Sequence, residues 1–124
     1  MMNQEVKKYG KNMAKKYTNL ERGDIVWIDF SPTKGHEQSG LRPAVIISGN
    51  QYNSFSNLVL ACPVTTKQKD YFFKVKITGL DKDSFVLVDQ VRTFDIKERV
   101  KKITGKINNS EMNEILAKVG VLFQ

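Results

Sequence analysis

The residues of this chain that could do chemistry fall into two short stretches. In the first, the only histidine, His36, lies beside Glu37, and Arg42 follows five residues after that glutamate. The second begins at Thr65, a hydroxyl that precedes several lysines. A guanidinium can bind two oxygens of one phosphate at once, and a hydroxyl can hydrogen-bond the same group. These side-chain types predict contact with a phosphate backbone rather than with a small apolar ligand.

Strand direction predicts that the two stretches meet. The runs Arg42–Gly49 and Leu58–Thr65 are largely apolar. If they pair antiparallel, the start of the first lies beside the end of the second. Arg42 then neighbours Thr65, although 23 positions separate them along the chain. A further strand, Ser84–Val88, should return to this end of the sheet and deliver the polar residues that follow it.

The connection that precedes Arg42 is unusually long. Ser31–Leu41 spans 11 residues, whereas hairpin loops usually have about 2–5. Gly35 and Gly40 allow it to bend. Long loops in compact domains often carry function, so we expect this one to contribute to the site.

The elements that position these residues predict a mainly β fold with minor α. The runs Ala44–Ile47 and Leu58–Val64 are continuously apolar and predict strands buried on both faces. Asp95–Arg99 predicts one helical turn. A C-terminal helix capped by Asn109 or Ser110 follows, with an apolar stripe of Met112, Ile115, Leu116, Val119, Leu122 and Phe123. The predicted strands are Asp24–Phe30, Ala44–Ile47, Leu58–Val64, Phe73–Ile77, Ser84–Val88 and Lys102–Ile107.

Composition limits the protein to one domain of 124 residues with a net charge of +7, which favours a polyanionic partner. One cysteine, Cys62, in an apolar run predicts a core thiol. With one histidine it also excludes a dedicated zinc site, so no metal or cofactor is expected. No signal peptide or membrane span is predicted, and we expect a cytoplasmic protein. We expect residues 1–21 to form a basic N-terminal extension, either helical or disordered. The folded domain is expected at residues 22–124.

These residues carry a resemblance to a known family. Arg22–Ser48 contains Gly-x-Glu-Gln-x-Gly-x-Arg-Pro at positions 35–43, and Pro63–Thr66 and Leu87–Thr93 continue the pattern. Together they resemble the MazF/PemK family of bacterial toxins. The match runs from about residue 22 to the carboxyl end. The first 21 residues fall outside it.

The resemblance implies an SH3-like, CcdB/PemK-type twisted antiparallel barrel and a homodimer. It implies sequence-specific cleavage of single-stranded mRNA, and a cognate antitoxin whose acidic C-terminal segment covers the RNA groove. The family's catalytic arginine and threonine fall on Arg42 and Thr65. The glutamate of the loop signature falls on Glu37, and an RNA-contacting glutamine falls on Gln90.

The expected chemistry is attack by the ribose 2′-hydroxyl on the adjacent phosphate, which gives 2′,3′-cyclic phosphate and 5′-hydroxyl ends. Arg42 would stabilise charge on the phosphoryl oxygens, and Thr65 would hydrogen-bond the phosphate. Glu37 is the first candidate for general base and His36 the second. The residues predicted to contact RNA are Phe30, Lys34, His36, Gln38, Thr66, Lys67, Lys69 and Gln90.

Other interpretations remain open on the sequence. Phe30 either packs in the core, which we favour, or stacks on a base, and Trp27 belongs to the core or to a dimer interface. One rival function is a same-fold toxin that acts on DNA gyrase without catalysis. Such toxins rely on a terminal tryptophan, whereas this chain ends in Leu122-Phe123-Gln124. Another rival is a passive RNA-binding barrel.

Overall fold

A computed structural model describes residues 20–31, 35 and 40–124 of the chain. The strands are β1 (Asp24–Asp29), β2 (Leu41–Ile46), β3 (Leu58–Thr65), β4 (Lys74–Ile77), β5 (Ser84–Leu87), β6 (Arg92–Asp95) and β7 (Val100–Lys106). The helices are α1 (Asn50–Ser56), α2 (Ile96–Arg99) and α3 (Asn109–Val121), and a 3-10 turn, Val88–Gln90, follows β5. Within the described ranges, no helix has the length and apolar character needed to cross a bilayer.

The strands join into one seven-stranded sheet in which every pairing is antiparallel. The order is β4-β5-β3-β2-β1-β7, and β6 pairs with the first half of β3. With α3 at the carboxyl end, this confirms the predicted mainly β antiparallel fold. The helical turn predicted near Asp95 is also confirmed as α2, whose N-cap is Asp95.

A hydrophobic core lies on each face of the sheet. The first core includes Ile25, Val45 and Cys62 and is covered by Met112 and Ile115 of α3. The second core is built from the alternate positions of the same strands, because successive side chains point to opposite faces. Burial on both faces explains why β2 and β3 are apolar at consecutive positions, as predicted. The second core contains Leu20, Val26, Ile28, Phe30, Ala44, Ile46, Val59, Ala61, Phe94 and Ile96.

The sheet curls over the first core until the β4–β5 turn meets β1 and β7. The contact is made at Gly79, where a Cβ would lie 2.7 Å from Ile25 Cδ1 and 3.1 Å from the carbonyl oxygen of Lys106. These distances are shorter than normal van der Waals contacts, so a side chain at position 79 would push the two ends apart. The glycine therefore lets the sheet close around the core that α3 covers.

Helix α3 begins with Asn108 as its N-cap, so the predicted caps Asn109 and Ser110 are wrong. The Asn108 side chain accepts a hydrogen bond from the Glu111 N–H at 2.8 Å, and the Glu111 carboxylate accepts one from the Asn108 N–H at 3.0 Å. The two bonds form a capping box, in which the acid must lie three residues after the cap. Glu111 therefore selects Asn108 over its neighbours.

The apolar stripe predicted for α3 is confirmed over its first three turns. Met112 and Ile115 are buried, and Leu116 and Val119 pack against the same core. Phe123, in contrast, is 82% exposed. The helix ends at Val121, so the last apolar residues lie beyond the part that the sheet covers.

The hydrophobic pattern does not predict α1 or β6. Helix α1 is short and mostly polar, follows Gly49, and ends where Asn57 adopts a left-handed conformation with φ of 59°. Its buried residue is Asn53, which accepts a hydrogen bond from the Ser48 hydroxyl. β6 has one buried side chain, Phe94. Polar anchoring in one element and a single apolar residue in the other leave no periodic signal to detect.

Cys62 is buried in the first core, as its apolar run predicts. Burial, with a further contribution from the charge of Asp89, raises the pKa of the thiol to about 12. The folded chain therefore keeps the Cys62 proton under alkaline conditions in which an unfolded chain loses it.

Ionisation of Cys62 should destabilise the protein at alkaline pH. The folded-state pKa of about 12 lies above the usual value of 9.0, so stability is complete below pH 9 and falls as the pH rises towards 12. The loss of unfolding free energy should reach about 2 kcal/mol by about pH 10.5. Urea unfolding of the wild type and Cys62→Val across this range would measure it. Parallel pH curves for the two proteins would contradict the prediction.

Candidate active site

The antiparallel register of β2 and β3 determines which residue of β3 lies opposite Arg42. The two strands pair Ala44 with Pro63 and Ile46 with Ala61. The pairing ends at Ala44 and Pro63, and the same register extended by two residues would set Arg42 opposite Thr65. Residues directly opposite each other in antiparallel strands point to the same face. The two side chains therefore share the face that, further along the strands, covers the second core.

Both neighbours of this pair extend the same face. Arg42 pairs with Ile28 of β1 on one side, and Thr65 pairs with Phe85 of β5 on the other. Pro43 and Pro63, which flank the pair, have no N–H to donate to the sheet. The two prolines therefore remove two backbone donors near Arg42 and Thr65.

Arg42 is half-buried, and desolvation lowers the pKa of its guanidinium from the usual value. An arginine in a protein nevertheless stays protonated at neutral pH. Partial burial also weakens the competition of water for its N–H groups. Arg42 thus supplies a permanent cation at the rim of the sheet.

Thr65 is 8% exposed and lies at the wall of a cavity. Its Oγ1 accepts a hydrogen bond from the Lys67 N–H at 3.2 Å. The cavity has a volume of about 270 Å³, and a group inside it can reach the hydroxyl. Its lining is Thr65, Lys67, Lys69, Tyr71, Lys74, Leu87 and Gln90.

Three hydrogen bonds hold the β3–β4 connection against this cavity. The Lys74 ammonium donates to the carbonyl oxygen of Lys67 at 2.7 Å and also to that of Lys69. The Tyr71 hydroxyl donates to the Asp89 carboxylate, and this hydrogen bond, with burial and the charge of Asp89, raises the pKa of Tyr71. The connection is therefore tied to β4 and to the turn after β5.

The structure brings together several of the residues predicted to contact RNA. Lys67, Lys69 and Gln90 line the cavity with Thr65, and Thr66 is exposed immediately beside it. The juxtaposition of Gln90 with Thr65 agrees with the predicted return of β5 to this end. Lys34, His36, Glu37 and Gln38 lie outside the described residues.

Phe30 is in the wrong place to stack on a base, and that prediction is corrected. The ring is 1% exposed and packs edge-to-face on Phe94, with ring centroids 4.7 Å apart. Arg92 donates to the Phe30 carbonyl at 3.1 Å, and its guanidinium lies 4.8 Å from the centre of the Phe94 ring. Phe30 therefore belongs to the second core, the alternative that we favoured.

The sequence analysis did not predict that Lys74 and Arg92 belong to the site. Lys74 reads as an ordinary exposed residue of an alternating strand, yet it lines the cavity and lies 4.2 Å from the centre of the Phe85 ring. Arg92 pairs with Ala61 and so points to the same face as Arg42. The pairing of β6 with β3 is the information that would have identified Arg92, because it determines which face of the sheet carries this side chain.

The site offers cations, a hydroxyl and an amide around a small cavity, which are groups that bind phosphate and nucleobase edges. Among the described residues, no three His, Cys, Asp or Glu side chains are grouped to hold a metal ion. A larger open cavity of about 760 Å³ lies at the opposite end of the sheet, beside Arg22 and Lys106. There Lys106 is paired with Glu21 and Asp24, so its charge is already compensated.

Comparison with known proteins gives a consistent result. The family model for the PemK-like, MazF-like toxin of type II toxin–antitoxin systems matches residues 21–123. The endoribonuclease toxin MazF of Escherichia coli K12 is 40% identical over 102 residues, which cover 82% of this chain and 92% of that protein.

Solved structures agree in fold. MazF from Deinococcus radiodurans superposes with a TM-score of 0.77 at 35% identity, over 84% of this chain and 96% of that one. A MazE–MazF structure from the same organism gives a TM-score of 0.71 at 34% identity, over 87% and 97% of the two chains. The family match at residues 21–123 includes β2 and β3, the strands that carry Arg42 and Thr65.

Proposed function

Since this chain belongs to the PemK-like, MazF-like toxin family of type II toxin–antitoxin systems, we propose that it cuts single-stranded RNA at the face that carries Arg42 and Thr65. The chain is an endoribonuclease toxin, as its relatives are. The observation that supports this location is the β2–β3 register, which aligns a permanent cation with a hydroxyl beside a lysine-lined cavity.

In the proposed reaction the ribose 2′-oxygen attacks the adjacent phosphorus, and the bond from phosphorus to the 5′-oxygen breaks. The leaving 5′-oxygen takes up a proton from solvent, so the products are a 2′,3′-cyclic phosphate and a 5′-hydroxyl. Arg42 binds two non-bridging oxygens as their charge increases, and the Thr65 hydroxyl donates to the same phosphate. We assign proton removal from the 2′-hydroxyl to Glu37, with His36 as the second candidate.

The cavity would hold the RNA next to the cut bond. Lys67 and Lys69 attract the backbone, and the Gln90 amide can both donate to and accept from a base edge. Thr66 is exposed at the rim and can contact the neighbouring nucleotide. Lys34 and Gln38 complete the proposed RNA contacts from the loop that precedes Arg42.

The biological setting follows from the family. A cognate antitoxin is the expected partner, because relatives are known as MazE–MazF complexes. We further propose that the toxin acts as a cytoplasmic homodimer, and that an acidic C-terminal segment of the antitoxin covers the site. Free toxin would then arrest growth under stress. The division into an extension at 1–21 and a toxin domain at 22–124 also stays a prediction.

Cleavage of a long transcript in EDTA would test the function. We expect specific cuts with 5′-hydroxyl and cyclic phosphate ends. Thr65→Val, which keeps the shape but removes the hydroxyl, should lower the rate by roughly 100-fold or more. Thr65→Ser should keep most of the activity, because it retains the donor.

Four results would contradict parts of this proposal. Cuts with 5′-phosphate ends would indicate another mechanism, and equal activity of wild type and Thr65→Val would move the site elsewhere. RNA binding without cleavage would leave a passive RNA-binding barrel. Inhibition of DNA gyrase with no cleavage would favour the non-catalytic toxin, which the C-terminal sequence makes the weaker alternative.

A further inference from the structure

The Lys74 ammonium binds backbone carbonyls rather than a carboxylate. It donates to the carbonyl oxygen of Lys67 at 2.7 Å and also to that of Lys69. None of the ion pairs among the described residues includes Lys74. One side chain of β4 therefore holds two points of the β3–β4 connection, through partners that leave its charge uncompensated.

Several contacts fix the position of Lys74 itself. Its backbone N–H donates to the Tyr71 carbonyl at 3.2 Å, and its own carbonyl accepts from the Lys118 ammonium of α3 at 2.9 Å. The Lys74 ammonium lies 4.2 Å from the centre of the Phe85 ring, where a cation is attracted to the aromatic face. An open strand lysine samples many rotamers, and ordering it costs free energy. These contacts keep the Lys74 ammonium at the connection.

Lys74 lies on the face of the sheet that carries Thr65. Thr65 of β3 pairs with Phe85 of β5, and Lys76 of β4 pairs with the same phenylalanine from the other side. Directly paired residues share a face, and so do residues two apart on one strand. Lys74, Phe85 and Thr65 therefore lie on one face, across three neighbouring strands.

The connection that Lys74 holds also contacts the Thr65 hydroxyl. The Lys67 N–H donates to Thr65 Oγ1 at 3.2 Å, and the Lys67 carbonyl accepts from the Lys74 ammonium. Lys67 thus binds one of these side chains through its N–H and the other through its carbonyl. A displacement of Lys67 would move the N–H away from Thr65.

We propose that Lys74 is a positioning residue for RNA cleavage. Its ammonium holds the β3–β4 connection where the Lys67 N–H binds the Thr65 hydroxyl, and where Lys67 and Lys69 line the cavity. This inference rests on the proposed function, because it takes Thr65 to bind the phosphate that is cut. Removal of the ammonium should therefore slow the chemical step more than it weakens RNA binding.

A direct contact with RNA is the other role for a lysine in this cavity. That role predicts a loss of affinity and a weaker salt dependence, because a phosphate contact releases counterions. The two bonds to carbonyls favour positioning, since they use two of the three donors of the Lys74 ammonium. Lys69 offers a comparison, because a substitution there removes a charge from the cavity lining but keeps the carbonyl that Lys74 binds.

Single-turnover cleavage of a short RNA with one site would separate the two roles. Lys74→Met keeps an unbranched side chain without the ammonium, and it should lower the saturating rate by roughly 10- to 100-fold. The RNA concentration at half-saturation should change by less than about threefold. Lys69→Met loses the same charge from the same cavity, and its main effect should be a raised half-saturation concentration with a weaker salt dependence.

Two further variants complete the series. Lys74→Arg keeps a cation whose N–H groups can reach two acceptors at once, so it should restore the saturating rate to within about fivefold of wild type. Lys76→Met is the matched control, because Lys76 is an exposed lysine two residues along the same strand and on the same face. It should cleave RNA at the wild-type rate.

Limited trypsin digestion tests the backbone contacts without RNA. Trypsin cuts after lysine, and the two carbonyls that Lys74 binds belong to Lys67 and Lys69. A held segment must open locally before a protease can cut it. Lys74→Met should be cut after these two lysines at least about tenfold faster than wild type, and Lys76→Met within about twofold of it. Mass spectrometry of the fragments would identify the cut sites.

Three outcomes would overturn the proposal. Equal trypsin cleavage of wild type and Lys74→Met would do so even where RNA cleavage by the wild type upheld the proposed function. Faster trypsin cleavage with an unchanged rate of RNA cleavage would show that the connection is held but does not position Thr65. A Lys74→Met protein that loses RNA affinity, keeps the saturating rate and has a weaker salt dependence would make Lys74 a direct RNA contact.

Discussion

Replacing Arg42 by alanine is expected to lower the rate of RNA cleavage by roughly 100- to 1000-fold, the usual effect of losing one preorganised donor to a developing oxyanion. Arg42→Lys should recover only part of the activity, because an ammonium keeps the charge but cannot bind two phosphoryl oxygens in a planar fork. Single-turnover cleavage of a short RNA that contains one site would measure both effects.

The same variants separate catalysis from folding. Arg42 lies at the end of β2, away from the centre of either core, so Arg42→Ala should change the unfolding free energy by less than about 1 kcal/mol. Lys82→Ala, an exposed position outside the proposed site, is the matched control and should cleave at the wild-type rate. Cleavage by Arg42→Ala within about tenfold of wild type would remove Arg42 from the mechanism.

Phe30→Ala should destabilise the fold by about 3–5 kcal/mol, because the ring is fully buried and its removal leaves a cavity against Phe94. Phe30→Leu keeps most of the volume and should cost less than about 1.5 kcal/mol. Urea unfolding at neutral pH would give both values.

RNA cleavage by the Phe30→Leu protein separates the two roles considered for this residue. A core residue predicts wild-type cleavage by the folded leucine variant, since the aromatic face never meets a base. A stable Phe30→Leu protein that loses base preference, or that cleaves at least about tenfold more slowly, would restore the stacking role.

The antiparallel pairing of β2 with β3 could be predicted from the sequence because two continuous apolar runs define these strands. When two such strands pair antiparallel, the start of β2 lies beside the end of β3, and strands of similar length bring these ends to the same edge of the sheet. The prediction needed no knowledge of α1, although that helix connects the two strands. These two strands are buried on both faces, and such burial requires apolar residues at consecutive positions, which can be read directly from the sequence.

Other parts of the site left no such record. Lys74 alternates with apolar neighbours as any half-exposed strand residue does, and its role depends on two carbonyls of the preceding connection. β6 is too short for a periodic signal, so the face of Arg92 was hidden until its pairing with Ala61 was known. Phe30 was ambiguous because an aromatic residue at a strand end can serve either core or ligand.

The hydrogen bond from the Lys67 N–H to Thr65 Oγ1 decides which role the hydroxyl can play. Because the Lys67 N–H occupies one lone pair of the oxygen, the hydroxyl hydrogen does not point at that N–H and stays available to donate to another group. A phosphate oxygen that arrives at the cavity can accept that hydrogen while the oxygen keeps its bond from the backbone. A neutral hydroxyl is too weak a base to take up a proton at neutral pH, so an incoming 2′-hydroxyl must lose its proton to another residue.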